Sequence, residues 1–286
     1  MNVLNDLSNC LQELLKDDDR PIVVFSSAWP FFRATGYSGD QVVEELLQVI
    51  IDAAADRSLL MPAFSNGYNS NKFNLDAEPS TAGVLSNAFR QRHGVIRTLS
   101  AFFSFSVKGP AIPEVYDLMP QDAWGDDSIY HWMELKNARF IMLGVDPSHC
   151  SFIHRVEWLL SDLITYRYLK TFEGILCRNS INIQCQERVF VRSLMPEAIN
   201  DFRVLNEPLK NSGMITSFVQ GIPVSLYDAN QVLLIVLNVS NEIQKISFSH
   251  ELLVGSFINI FSGLAFSFDK EVSFELMPGD YFLYVK

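Results

Sequence analysis

Several features that would make a chain of 286 residues easy to read are missing here. There are four cysteines, Cys10, Cys150, Cys177 and Cys185, and no pair has CxxC spacing, which disfavours both a zinc ribbon and a disulfide framework. Reduced, mostly packed thiols are the expectation. Positive charge is scarce: 22 Lys and Arg against 33 Asp and Glu leave a formal net charge of -11, with no basic block to offset it. Bulk attraction to nucleic acid or to an anionic membrane is therefore not expected, and an anionic ligand needs a local pocket. The opening MNVLNDLSNCLQELLKDDDR has neither the basic nor the apolar region of a leader, and the longest apolar runs, around VLLIVLNV, are far too short for a bilayer span. A soluble cytoplasmic protein is expected, with no membrane and no nucleic-acid partner. No low-complexity tract and no fixed-period repeat is found.

What the chain does have is apolar patterning, with 48% hydrophobic residues, enough for a large core. Val3, Leu4, Leu7, Leu11, Leu14 and Leu15 fall near helical spacing, so the opening segment reads as an amphipathic helix. PIVVFSS is a buried strand whose exit carries two serines, QVVEELLQVIIDAAA is a helix, and SLLMPAF is a second strand. Together they make a βαβ unit. A polar stretch, SNGYNSNKFNLDAEPSTAG, reads as a long functional loop, after which come the helix-like GVLSNAFRQ, the alternating TLSAFFSFSV and a third apolar strand, RFIMLGVD. From about residue 229 the character changes to short alternating runs broken by Asn, Ser, Gly and Pro, which reads as an all-β appendage.

The third strand runs into LGVDPSHCSFIHRVEW, residues 143–158, at a strand's C-terminal end, where ligands sit in open α/β sheets. If SFIHRVEW starts a helix, His154 and Glu157 lie three apart on one face, so the carboxylate can orient and charge-stabilise the imidazole. That pattern suits a tuned general base, although taken alone an ordinary packed contact is the stronger reading. A metal site is disfavoured, because His149 and His154 are five apart and miss the four-residue spacing that puts two imidazoles on one helical face. Cys150 as a nucleophile needs a thiolate beside His149, and a packed thiol is the stronger reading. Asp146 is placed to bind a cationic amine or to cap a turn.

Separate segments in order along residues 1–228 resemble the aminoglycoside 3-N-acetyltransferase family. VVFSSAW resembles its strand ending in H-S-S, MPAF its M-P-T-F, and AWGDDS its F-G-x-x-S. FNLDAEPSTAGVLSNAFRQRHGVIRTLSAFFSFSVKGP resembles the long F-D-x-x-x-x-P-S-x-x-G-x-L-x-x-x-F-R-x-x-x-G-V-x-R-S-x-H-P-x-H-S pattern, and LGVDPSHCSFIHRVEW resembles L-G-V followed by T-x-x-H-x-x-E. The resemblance implies an α/β fold, a three-layer α/β/α sandwich, over residues 1–228, to which the alternating pattern adds a small all-β C-terminal domain at 229–286. It implies transfer of an acetyl group from acetyl-coenzyme A, without a metal, to the amine of an amino sugar, with oligomerisation left open. It places the coenzyme among Ser26, Ser27, Ser80, Arg97 and Ser104, Arg97 in an ordering role, and acid–base work on His154 with Glu157.

The departures are specific. Where the family has the two histidines of H-P-x-H-S this chain has Ser100 and Phe103, where it has H-S-S this chain has Phe25, and the threonine of M-P-T-F is Ala63. Phenylalanine supplies neither donor nor acceptor. Either catalysis has lapsed and the chain binds a small ligand or a partner protein, or Phe25, Phe102 and Phe103 line a pocket for a different acceptor or acyl group. The last 58 residues, through VLLIVLNVSNE, LLVGSFINIFSG and ELMPGDYFLYV, resemble the β-sandwich that follows the barrel of α-amylase-type glycoside hydrolases. That resemblance implies chiefly a covering role, and secondarily a sugar-binding one.

Overall fold

Val3, Leu4, Leu7 and Leu11 put one apolar stripe on the opening segment, and in the computed structural model it is a helix, α1 (Val3–Leu14), with Asn2 accepting the Leu4 amide at 3.0 Å as its cap. The structure describes residues 2–68, 71–162, 164, 166–194, 202–230, 233–237, 243–249, 254–259, 265–277 and 281–285. Chain order continues with β1 (Ile22–Ser26), α2 (Trp29–Thr35), α3 (Gly39–Ala54), β2 (Leu59–Pro62), β3 (Lys72–Asn74), α4 (Val84–Arg90), β4 (Ile96–Arg97) and β5 (Phe105–Lys108). Then come α5 (Ile112–Val115), α6 (Ile129–Leu135), β6 (Arg139–Leu143), α7 (Ile153–Leu159), β7 (Arg167–Arg178), β8 (Ile181–Arg192), α8 (Asn206–Asn211), β9 (Ile215–Val219) and β10 (Ile222–Asp228). Six further strands follow: β11 (Leu233–Leu237), β12 (Gln244–Ser249), β13 (Gly255–Asn259), β14 (Ala265–Phe268), β15 (Glu271–Leu276) and β16 (Tyr281–Val285).

The main sheet has seven strands in the order β4-β5-β2-β1-β6-β10-β9. β1 pairs in parallel with β2 on one side and β6 on the other, so the apolar runs that read as strands form its centre, while β5 and β10 flank them antiparallel. Alternation along the strands divides the core. Ile22, Val24, Ile141 and Leu143 face α1 and α3, packing with Leu7, Leu11, Leu46 and Ile50. Phe25 and Phe140 meet on the opposite side, where Phe140 lies 4.9 Å from Phe152, just before α7, and Phe105 lies 5.5 Å from Tyr130 of α6. Helices on both faces make this a three-layer α/β/α sandwich.

β7 and β8 form a long hairpin with twelve-residue register, Arg167↔Arg192 to Arg178↔Ile181, closed through Asn179 and Ser180, both at positive φ as a two-residue hairpin turn requires. β3 joins the hairpin in parallel, so the polar stretch expected to be one irregular loop carries a strand. TLSAFFSFSV also differs from expectation: only its end enters β5, because the Thr98 hydroxyl takes the Phe105 amide at 2.9 Å and the Ser100 hydroxyl takes the Phe103 amide at 3.0 Å. Those side chains compete with a ladder and fold residues 98–104 into a turn. Gly144 is left-handed (φ +64°), and a Cβ there would stand 3.0 Å from the Ser27 carbonyl, so the exits of β6 and β1 approach closely only with glycine at this point.

The chain divides into two compact units, residues 1–201 with 216–229, and residues 202–215 with 230–286. In the second, the described strands form a four-stranded sheet, β11-β16-β13-β14, and a two-stranded one, β12-β15. Parts of VLLIVLNVSNE, LLVGSFINIFSG and ELMPGDYFLYV lie outside the described residues. Among the described residues no helix is long and apolar enough to cross a membrane.

Candidate active site

α7 carries the pair singled out by its spacing, and its neighbouring arginine pins it. Arg155, 2% exposed, donates to the Trp124 carbonyl, to Asp126 and to Glu134, each at 2.9 Å, and so locks α7 against α6 and the loop before it. With the helix fixed, His154 Nδ1 sits 2.5 Å from Glu157 Oε2. The other carboxylate oxygen accepts the Tyr166 hydroxyl at 2.6 Å and lies 3.0 Å from Arg167 Nε. Burial acts to raise the Glu157 carboxyl, but the hydrogen bonds from His154 and Tyr166 and the charge of Arg167 outweigh it and hold it below its ordinary range. Glu157 is therefore an anion at neutral pH. Its shorter contact assigns the proton of the imidazole to Nδ1, although Arg167 Nη2 also stands 3.4 Å away.

His154 is half-buried and closes a row of rings. Its ring lies 5.2 Å from Trp124, Trp124 lies 4.6 Å from Phe103, and Phe103 lies 5.5 Å from Phe64. Phe103, at a position where the family has histidine, is thus a wall residue beside the dyad. Phe25 is only 6% exposed and packs among Phe105 and Phe140 under the sheet end. Phe102 turns the other way, toward Phe172 at 4.7 Å, and its ring covers Gly67, where any Cβ would collide with it.

The residues assigned to the coenzyme separate into two groups. Ser26 and Ser27 are half-buried at the C-terminal end of β1, and Ser80 is half-buried over the end of the adjacent β2, its hydroxyl 3.4 Å from the Pro62 carbonyl and accepting the Ala82 amide at 3.1 Å. All three lie at one sheet end, with the Ser80 hydroxyl already engaged by main chain. Ser104 and Arg97 are enclosed. The Ser104 hydroxyl donates to the Ala63 carbonyl at 2.9 Å and accepts Arg97 Nε at 2.9 Å, while the rest of the guanidinium donates to the carbonyls of Ala63, Leu75 and Glu78. Burial draws Arg97 down to about 10, and with its donors spent on main chain it orders the 63–78 and 97–104 segments. In this structure neither residue offers a coenzyme contact.

Asp146 is exposed and accepts the Ser148 amide at 2.9 Å, capping a short 3-10 turn (Pro147–His149). His149 is exposed on that turn, and Cys150 is buried with its thiol pushed up to about 12 by burial, which is a packed thiol and not a nucleophile. Among the described residues no three His, Cys, Asp or Glu side chains gather as metal ligands.

One buried carboxyl beside the site belongs to no motif of the sequence. Glu187, on β8 and 3% exposed, accepts the Ser100 hydroxyl at 2.6 Å and the Ala101 amide at 3.1 Å. Burial raises its carboxyl to about 7 against those two hydrogen bonds. The signal was available: Cys185, Glu187 and Val189 share the inward face of β8, and a charged residue in an otherwise apolar row is the informative departure.

Solved structures share the architecture. AAC-VIa bound to sisomicin superposes with a TM-score of 0.65 at 16% identity over 79% of this chain and 92% of that one. AAC-IIIb in binary complex with CoASH gives 0.61 at 17%, over 78% and 91%, and the YokD protein of Bacillus subtilis gives 0.61 at 14%, over 80% and 89%. No curated protein matches the sequence significantly. The model of the family described as aminoglycoside 3-N-acetyltransferase matches residues 33–239, most of the chain, and with it the ordered motifs and the shared fold make this chain a member of that family.

Proposed function

We propose that this protein acetylates an amine of an aminoglycoside-like amino sugar, using acetyl-coenzyme A, with His154 as general base and Glu157 as its orienting carboxylate. The observation that carries the reading is the 2.5 Å contact between His154 Nδ1 and an anionic, buried Glu157. With the proton held on Nδ1, Nε2 bears the lone pair that accepts a proton from the attacking amine, and Glu157 stabilises the imidazolium that results. Acetyl-coenzyme A supplies the activated acyl carbon. Ser26 and Ser27 at the end of β1, and Ser80 in the loop over the end of β2, are the side chains that would hold its arm. Such proton transfer is worth about a hundred- to ten-thousand-fold in rate. Asp146, exposed ahead of α7, would offer a cationic acceptor some attraction beyond its capping bond. Two relatives solved with sisomicin and with CoASH support the same pairing of substrates.

A lapsed enzyme that binds a small ligand is the second reading, favoured by Phe25 and Phe103 in place of histidines and packed ring against ring. Calorimetric titration with acetyl-coenzyme A separates the two without a guess about the acceptor. Micromolar binding that is lost in Ser27→Trp supports the acetyltransferase, and no binding at high protein concentration supports the lapsed form.

A further inference from the structure

Two consecutive residues of β8 hold the two loops that meet beside His154. Glu187 takes the Ser100 hydroxyl and the Ala101 amide, and Ser100 in turn takes the Phe103 amide at 3.0 Å, so one carboxyl group ties the donors of the turn carrying Phe103, while Ser65 holds its Ala101 and Phe102 carbonyls. Arg188 holds the other loop. Its amide donates to the Gln121 carbonyl at 2.7 Å, its carbonyl accepts the Ala123 amide at 2.8 Å, and its guanidinium meets Asp122 at 2.6 Å. The rings delivered by the two loops, Phe103 and Trp124, stack at 4.6 Å, and Trp124 abuts His154.

Glu187 is an odd choice for a merely structural tie. It is buried, no lysine or arginine pairs with it among the described residues, and the ionisable groups around it, Tyr68, Tyr130 and Cys185, are all held neutral by burial. An apolar residue at this inward position would pack with Cys185 and Val189 at no desolvation cost. What the carboxyl adds is two acceptors aimed at one turn.

We propose that Glu187 is a positioning residue for the acceptor side of the cleft: through Ser100 and the Ala101 amide it presses Phe103 onto Trp124 and fixes the wall against which His154 meets the amine. The inference rests on the acetyltransferase reading for its kinetic consequence, but its structural consequence is independent of any activity. A glutamine keeps the shape and satisfies the same turn, its carbonyl accepting from Ala101 and its amide donating to Ser100. An alanine leaves both without a partner.

The test compares Glu187→Gln, Glu187→Ala and the milder Ser100→Ala. The Michaelis constant for the amino sugar is expected to rise about tenfold in the two alanine variants, with that for acetyl-coenzyme A within about twofold of wild type, and glutamine is expected to restore it; the size is that of a lost buried hydrogen bond. A parallel measurement needs no turnover: the emission of Trp124, obtained by difference against Trp124→Phe in each background, is expected to shift in Glu187→Ala and Ser100→Ala and to return in Glu187→Gln. Equal increases in both Michaelis constants, or no rescue by glutamine, would overturn the proposal. If the wild type acetylates nothing, the acetyltransferase reading fails by itself, and an unchanged Trp124 emission in both alanine variants then overturns the positioning role.

Discussion

The two ends of the main sheet are built from opposite materials. Where the central strands begin, Asp18, Arg20, Arg139 and Asp228 form a closed set of ion pairs at 2.6 to 3.1 Å, every charge met by its opposite. Where β1, β2 and β6 end, aromatic rings surround the His154–Glu157 pair, whose carboxylate meets Arg167, and Glu187 is buried with no cation on it among the described residues. The first end gains from charge, since the hydrogen bonds and charges of Arg20 and Arg139 overcome burial and draw Asp18 down to about 2. The second end pays for it, since burial lifts Glu187 to about 7. Polar groups placed at a cost, next to the His154–Glu157 pair, mark this end as the candidate for function rather than stability.

The largest effect expected from breaking this contrast is chemical. His154→Ala should lower kcat about a hundred- to ten-thousand-fold while leaving acetyl-coenzyme A binding unchanged, whereas no substitution in the ion-pair set should act on kcat beyond its effect on folding; steady-state kinetics with calorimetry checks both. Next comes the stability of the functional end. A carboxyl raised from its ordinary 4.5 to about 7 in the folded state contributes fully below pH 4.5 and loses that contribution as pH climbs through 7. Glu187→Gln removes the titration, so the difference in stability between variant and wild type should move in the variant's favour by about 2–3 kcal/mol between pH 4.5 and 8, followed by urea unfolding.

Removing Arg139 from the opposite end should cost about 1–3 kcal/mol, between the worth of an exposed pair and that of a buried one, and lower Tm without changing the Michaelis constants. The smallest effect is its mirror in pH. Asp18, held below its ordinary 3.8, contributes above that value and loses the contribution as pH falls toward 2, so Asp18→Asn should flatten the acid limb of the stability curve and leave the limb near neutrality untouched.

The same contrast explains what the sequence disclosed. β1, β2 and β6 were legible because a buried parallel strand is a continuous apolar run, and α1 and α3 because their stripes keep helical spacing. His154 and Glu157 were legible because a helix converts a spacing of three into contact. The β7–β8 hairpin was overlooked, although its alternation and its Asn179-Ser180 turn are strand signals, and with it went Glu187 and the clamp on both loops. Contacts such as Ser100 to Glu187, 87 residues apart, have no local signature. Ser104 shows the converse limit: a motif names a residue, but only the fold reveals that its hydroxyl is already engaged by Arg97 and the Ala63 carbonyl.

The most direct test of the account is product formation: the full chain incubated with acetyl-coenzyme A and sisomicin, with release of the coenzyme thiol and the mass of the amino sugar followed together, in wild type and in His154→Ala. The account predicts thiol release matched by an acetylated amino sugar in the wild type, and at least a hundredfold less of both in the variant, the lower bound set by general-base catalysis. Equal rates in the two proteins, or a wild type that binds the coenzyme and acetylates no amine, would contradict it.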